Sequence, residues 1–159
     1  MTTTHHPTRI GIRAHGTPIP QGSKVANRFG GGVRDTNAAT LKTWRTLVHD
    51  AATDATLYAD TITSPVRVWL YFGIHRPASH YRTGRNAQLI RDTAPRYPLG
   101  GKYGGDLDKL TRAVLDALTT AQVWTDDALA VDLRARKFYA GEHELAPPTP
   151  GVDIVLEEI

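Results

Sequence analysis

The sequence predicts an α+β fold: a single two-layer domain, residues 1–159, with a mixed sheet of about four strands and two helices. Three observations lead there. A chain of 159 residues suits one domain with a proper core and would cramp two. Four segments alternate apolar and polar residues, while two repeat apolar residues at helical spacing. Their order is strand, helix, strand, helix, strand, strand, with no internal repeat and no second core, which two packed layers satisfy.

Residues 1–7 read as a flexible tail. Arg9 to Ala14 alternates and is expected to be the first strand. It runs into GTPIPQGSK, where prolines stop regular structure. The glycine-rich stretch FGGGVRDTN, Phe29 to Asn37, lacks the spacing of a phosphate-binding loop and reads as a hairpin tip or flexible loop. Lys24, Arg28 and Arg34 around it are candidates for phosphate contact. Leu41, Trp44, Leu47, Val48, Ala51, Ala52 and Ala55 then mark a helix from Thr40, with Thr40 as its expected cap.

A strand follows Ser64-Pro65, with Val66, Val68, Leu70, Phe72 and Ile74 on one face and Arg67, Trp69 and Tyr71 on the other. From His75 to Gly105, six basic residues stand against Asp92 alone, among prolines and glycines. This segment reads as a long basic loop, a nucleic-acid-facing arm carrying Arg82 and Arg85, or else a bland insertion. The second helix has Leu107, Leu110, Val114, Leu118 and Ala121 as its apolar stripe. Ala128 to Tyr139 is the third strand, with Leu129, Val131, Leu133 and Ala135 on one side. A proline-rich connection leads to a last strand, Val152 to Leu156.

Composition narrows the chemistry. The absence of cysteine excludes disulfides, thiolate metal sites and a cysteine nucleophile, and suits the cytoplasm. No apolar run reaches the roughly 20 residues of a membrane span, so no membrane partner is expected. A pI near 9.3 and a net charge of +3 favour an anionic partner weakly.

The unusual feature is a set of short carboxylates around the second helix: Asp106, Asp108, Asp116, Asp126, Asp127 and Asp132. On extended chain before the helix, Asp106 and Asp108 would point the same way, and of two like charges held close one tends to stay protonated unless a cation sits between them. If the next strand packs beside the helix start, one of Asp126 and Asp127 can face them. Oxygen ligands with open water positions suit Mg²⁺. Simpler readings compete: capping for the first pair, a turn for the second, and helix-surface pairs of Arg112 with Asp108 and Asp116. Asp132 would pair with Arg134 or Arg136.

The full string separates these readings. G-D-L-D-K-L-x-R-x-V-L-D-A-L, then A-x-V-W-x-D-D, V-D-L and Lys137, resembles the RusA family of Holliday junction resolvases. The segment from Gly16 to Lys24 is similar to that family's opening loop, and the ending PGVDIVLEEI to its last strand. The resemblance implies catalytic, metal-binding carboxylates at Asp106, Asp108 and Asp127, with Asp126 in support. It implies a basic group at Arg112, where the family usually has lysine, and Lys109 where asparagine is usual; Lys137 would be a second phosphate ligand. It further implies Mg²⁺, with Mn²⁺ as a substitute, a four-way DNA junction as substrate, a homodimer, and a bacterial or bacteriophage origin. A nuclease for flaps or forks, and a branched-DNA-binding module without chemistry, are the alternatives.

Overall fold

The computed structural model describes residues 7–22, 24–26, 29–30, 33–35, 37–100 and 104–159. Its main sheet has four strands: β1 (Arg9–His15), β4 (Val66–Ile74), β5 (Ala130–Tyr139) and β6 (Gly151–Glu158). A two-stranded antiparallel ribbon, β2 (Lys24–Ala26) and β3 (Val33–Asp35), stands apart from it. The helices are α1 (Ala38–Ala55) and α2 (Leu107–Thr120). Of the expected tail, residues 1–7, positions 1–6 lie outside the described residues.

Strand order is β1-β6-β4-β5, antiparallel at β1/β6 and β6/β4 and parallel at β4/β5, so the sheet is mixed. A parallel neighbour requires a crossover, and α2 supplies it between β4 and β5. The predicted inward face of β4 is fully buried at Val66, Val68, Leu70 and Phe72. It meets Leu41, Trp44 and Val48 of α1 and Leu110, Val114 and Leu118 of α2. The two helices pack on each other, α1 against β1 and α2 against β5. Burying large side chains such as Trp44, Trp124 and Phe72 in one cluster gives the domain its core.

Four local expectations are corrected. Helix α1 begins at Ala38 with Asn37 at its N-cap, because the Thr40 hydroxyl donates to the Asn37 carbonyl from inside the first turn. The third strand starts at Ala130, since Asp127–Leu129 form a 3₁₀ turn held by Asp126. Asp132 pairs with Arg67 at 2.8 Å rather than with Arg134 or Arg136, because the parallel register sets Arg67 opposite Asp132. Val131 and Leu133, expected on the covered side, are 61% and 45% exposed. They belong to an edge strand that α2 does not fully cover.

The basic loop is built rather than bland. It holds two 3₁₀ turns, Ala78–His80 and Gly84–Asn86, and an antiparallel bridge from Tyr81 to Ile90. Its root is Arg76, only 6% exposed, whose guanidinium donates twice to Glu142 at 2.8 Å and once to the Pro95 carbonyl at 3.0 Å. The same group lies 3.8 Å over the Tyr139 ring, a cation–π contact in a partly desolvated place. Arg76 therefore anchors the loop and presents no charge to a partner.

Candidate active site

The crossover from β4 through α2 to β5 brings the aspartates of the sequence together only in part. Asp106 is the N-cap of α2, with extended backbone, and Leu107 is already helical. Asp108 therefore sits in the first turn rather than on extended chain. At roughly 100° per residue a helix does not repeat every two residues, so the period-of-two argument does not apply here.

Asp106 looks toward basic groups. Its Oδ2 is 3.3 Å from Lys109 Nζ, and its charge favours the protonated form of Lys137. Lys137 donates from Nζ to the Gly105 carbonyl at 2.7 Å, and half-burial pulls its pKa below the ordinary lysine value. It is thus neither a solvated edge lysine nor a free cation; it ties β5 to the start of α2. Gly105 makes that join possible. Its φ of +66° is left-handed, and a Cβ there would lie 2.9 Å from Pro20 Cγ. The neighbouring Gln21 N–H donates to the Lys109 carbonyl, so the N-terminal proline segment braces the same corner.

Asp108 opens on a different surface. With Leu107, Thr111, Arg112, Leu115, Asp116, Asp127, Leu133 and Ala135 it lines an open depression of about 580 Å³ along α2 and the edge strand. Asp127 reaches it from the turn before β5. Asp126 does not line it; its Oδ1 accepts the Ala128 N–H at 2.7 Å, an Asx turn that fixes Asp127 beside it. The carboxyl of Asp127 is raised above the ordinary aspartate value. Partial loss of hydration is the largest cause, then the charge and hydrogen bond of Asp126, then the charge of Asp116, with Arg112 opposing.

Arg112 is exposed and forms no ion pair with Asp108 or Asp116 among the described residues. The helix-surface pairs expected for it are absent there. Asp116 is held instead by Arg45 of α1, Nη2 to Oδ2 at 2.9 Å. Asp116 and Arg45 are the residues that sequence reasoning missed as site members. Periodicity places Asp116 on a polar helix face, but nothing in spacing tells that another helix brings Arg45 to it.

Of the expected phosphate contacts, Arg85 is exposed in the second 3₁₀ turn of the basic loop, and Arg82 is paired with Asp92 at 3.1 Å. The side chains of Lys24 and Arg34 lie outside the described residues, as does Arg28; the backbone of the first two forms the β2/β3 hairpin.

Among the described residues, no three histidine, aspartate or glutamate side chains stand close enough to enclose a metal ion. The depression nonetheless suits a hard divalent cation. Its charged donors are carboxylate oxygens, Asp108, Asp116 and Asp127; lost hydration first and neighbouring acids second raise Asp127, and a cation would favour its ionised form. Mg²⁺ is commonly held by one or two carboxylates with water completing the octahedron, so a closed protein cage is not required. No helix among the described residues is long and apolar enough to cross a membrane.

The family model described as endodeoxyribonuclease RusA matches residues 15–146. No curated protein sequence matches the chain.

Proposed function

The chain belongs to the RusA endodeoxyribonuclease family, and on that premise we propose that it cuts four-way DNA junctions with the help of Mg²⁺ held at the α2 depression. The observation that carries the reading is the meeting of Asp108 and Arg112, from α2, with Asp127, from the turn before β5, on one open surface. Acids facing a polyanion would only repel it unless a cation is bound among them.

Asp108 and Asp127 are the proposed ligands within the depression, Asp106 joins them from the helix start, and Asp126 orients Asp127. A divalent ion held by these carboxylates would supply a lowered pKa for an attacking water and charge relief for the phosphate. Mn²⁺ offers the same octahedral oxygen chemistry and should substitute. Arg112, exposed and in no ion pair among the described residues, is the proposed partner of a phosphate oxygen as negative charge builds in the transition state. A guanidinium offers a fork of donors there, where the family's usual lysine would offer a point charge. Lys137 acts one step back: its bond to the Gly105 carbonyl holds the chain that presents Asp106. Lys109, 3.3 Å from Asp106, is the lysine we propose for a flanking phosphate.

Shape rather than sequence would select the substrate, through phosphate contacts spread over a wide surface. The arm from His75 to Gly100, stiffened by Arg76 and carrying Arg85, is the proposed outer contact. Two such chains related by a two-fold axis would match the near-two-fold symmetry of a junction and make paired nicks, so we propose a homodimer.

The test is cleavage of a synthetic four-way junction, with a flap and a fork of equal length beside it. Nicking of the junction in Mg²⁺, no nicking in EDTA, and loss of nicking with retained binding in Asp108→Asn are expected. Full cutting by Asp108→Asn would remove that residue from the site, and preference for the flap would move the activity to another branched substrate.

A further inference from the structure

The pair of Arg45 and Asp116 has no part in the reading above, although it joins two cavities. Asp116 lines the depression with Asp108 and Asp127. Arg45 lines a groove of about 660 Å³ between α1 and α2, together with Lys42 and His49. Their side chains meet at 2.9 Å and are about a third exposed, 34% and 30%. A solvated pair of this kind contributes little to folding. Its consequence lies in charge. Asp116 falls eight residues after Asp108 on the same helix, and its carboxylate lines the depression together with those of Asp108 and Asp127.

We propose that Arg45 is a positioning residue for the phosphodiester: by holding Asp116 paired, it leaves the depression with enough negative charge to bind a divalent ion and not enough to repel DNA. The inference rests on the metal-dependent nuclease reading above. An unpaired Asp116 would add one full charge beside the ion and the scissile phosphate. That charge attracts a cation and repels a phosphate, so the two affinities must move in opposite directions.

This opposition gives the test a signature that a merely structural role lacks. The protein is titrated with Mn²⁺ alone, followed by water-proton relaxation, and separately with a labelled four-way junction in Ca²⁺. In Arg45→Gln the Mn²⁺ affinity should rise and the junction affinity fall, each about three- to tenfold, the size expected for one charge several ångströms away in a partly solvated site. Adding Asp116→Asn to that variant should return both toward the wild type, and Arg45→Lys should stay near it. Asp116→Asn alone, which frees Arg45, should weaken Mn²⁺ and strengthen the junction; this variant decides the matter if Arg45→Gln folds poorly.

Parallel loss of both affinities, or no reversal by Asp116→Asn, overturns the proposal. Neither readout needs turnover. A wild-type protein that binds Mn²⁺ but nicks no junction therefore overturns the junction-cutting function and leaves Arg45 to be judged on the signs. A wild-type protein that binds no Mn²⁺ overturns both.

Discussion

Replacing Arg76 with leucine tests whether the basic arm is stiff by construction. Leucine keeps an apolar stem but removes the guanidinium, so the Pro95 carbonyl loses its 3.0 Å donor and Glu142 loses two bonds of 2.8 Å. A carbonyl left without a partner in a half-buried corner costs about 1–2 kcal/mol. The cation over Tyr139 contributes about 1 kcal/mol more. Glu142 is a third exposed, 32%, so it rehydrates when released, and the lost pair counts for no more than about 1 kcal/mol. Relief of the buried charge offsets part of this, leaving a net loss of about 2–3 kcal/mol. For a domain of this length that lowers the melting temperature by roughly 5–10 °C. Urea unfolding measures the loss, and limited proteolysis between Arg82 and Arg96 locates it. With the arm loosened, junction affinity should fall as well, since ordering the arm would then be paid on binding. A stability change below about 1 kcal/mol with an equally resistant arm would refute the anchor.

Gly105→Ala should destabilise the domain by about 1–3 kcal/mol, from the left-handed backbone and the contact with Pro20, and should reduce nicking more than DNA binding because it displaces Asp106; calorimetry and a single-turnover assay check the two parts. Arg112→Ala should lower the rate of the chemical step by 10- to 1000-fold while changing junction affinity little, read from single-turnover rates and gel shifts. Lys137 gives a pH effect. Its folded-state pKa is lowered, so between that value and the ordinary 10.5 the unfolded chain binds the proton more tightly, and stability rises with pH. Urea midpoints across the alkaline range should lose this rise in Lys137→Met.

Much of the fold was legible because its signals are local. The alternation from Val66 to Ile74 fixed the face of the central strand, and the stripe of Leu110, Val114 and Leu118 fixed the buried face of α2. Errors arose where one residue decides between two local options. Asp106 ends extended chain and the helix begins at Leu107, a boundary that spacing cannot place within two residues. The exposure of Val131 and Leu133 depends on where the sheet stops, which is a property of strand order. Arg76 looked like one more surface charge because its partner Glu142 is 66 residues away in sequence. The site was legible as a set of residue types, through the D-x-D and D-D pairs, but its internal division was not.

That division follows from the helix start. Because Asp106 caps α2 and Asp108 lies inside it, the two acids meet different surroundings: lysines and the Gly105 carbonyl on one side, Arg112, Asp116 and Asp127 on the other. A bound ion must draw on both sides if all three proposed ligands are to reach it, so the rigidity of the corner matters as much as the carboxylates. Pro20, Gln21, Gly105 and Lys137 supply that rigidity from three separate parts of the chain. If the corner is what aligns Asp106, restoring metal concentration should not rescue Gly105→Ala, whereas excess Mn²⁺ should partly rescue a variant such as Asp126→Asn that only loosens Asp127. Rescue of both by metal alone would mean that the ion, and not the corner, assembles the site.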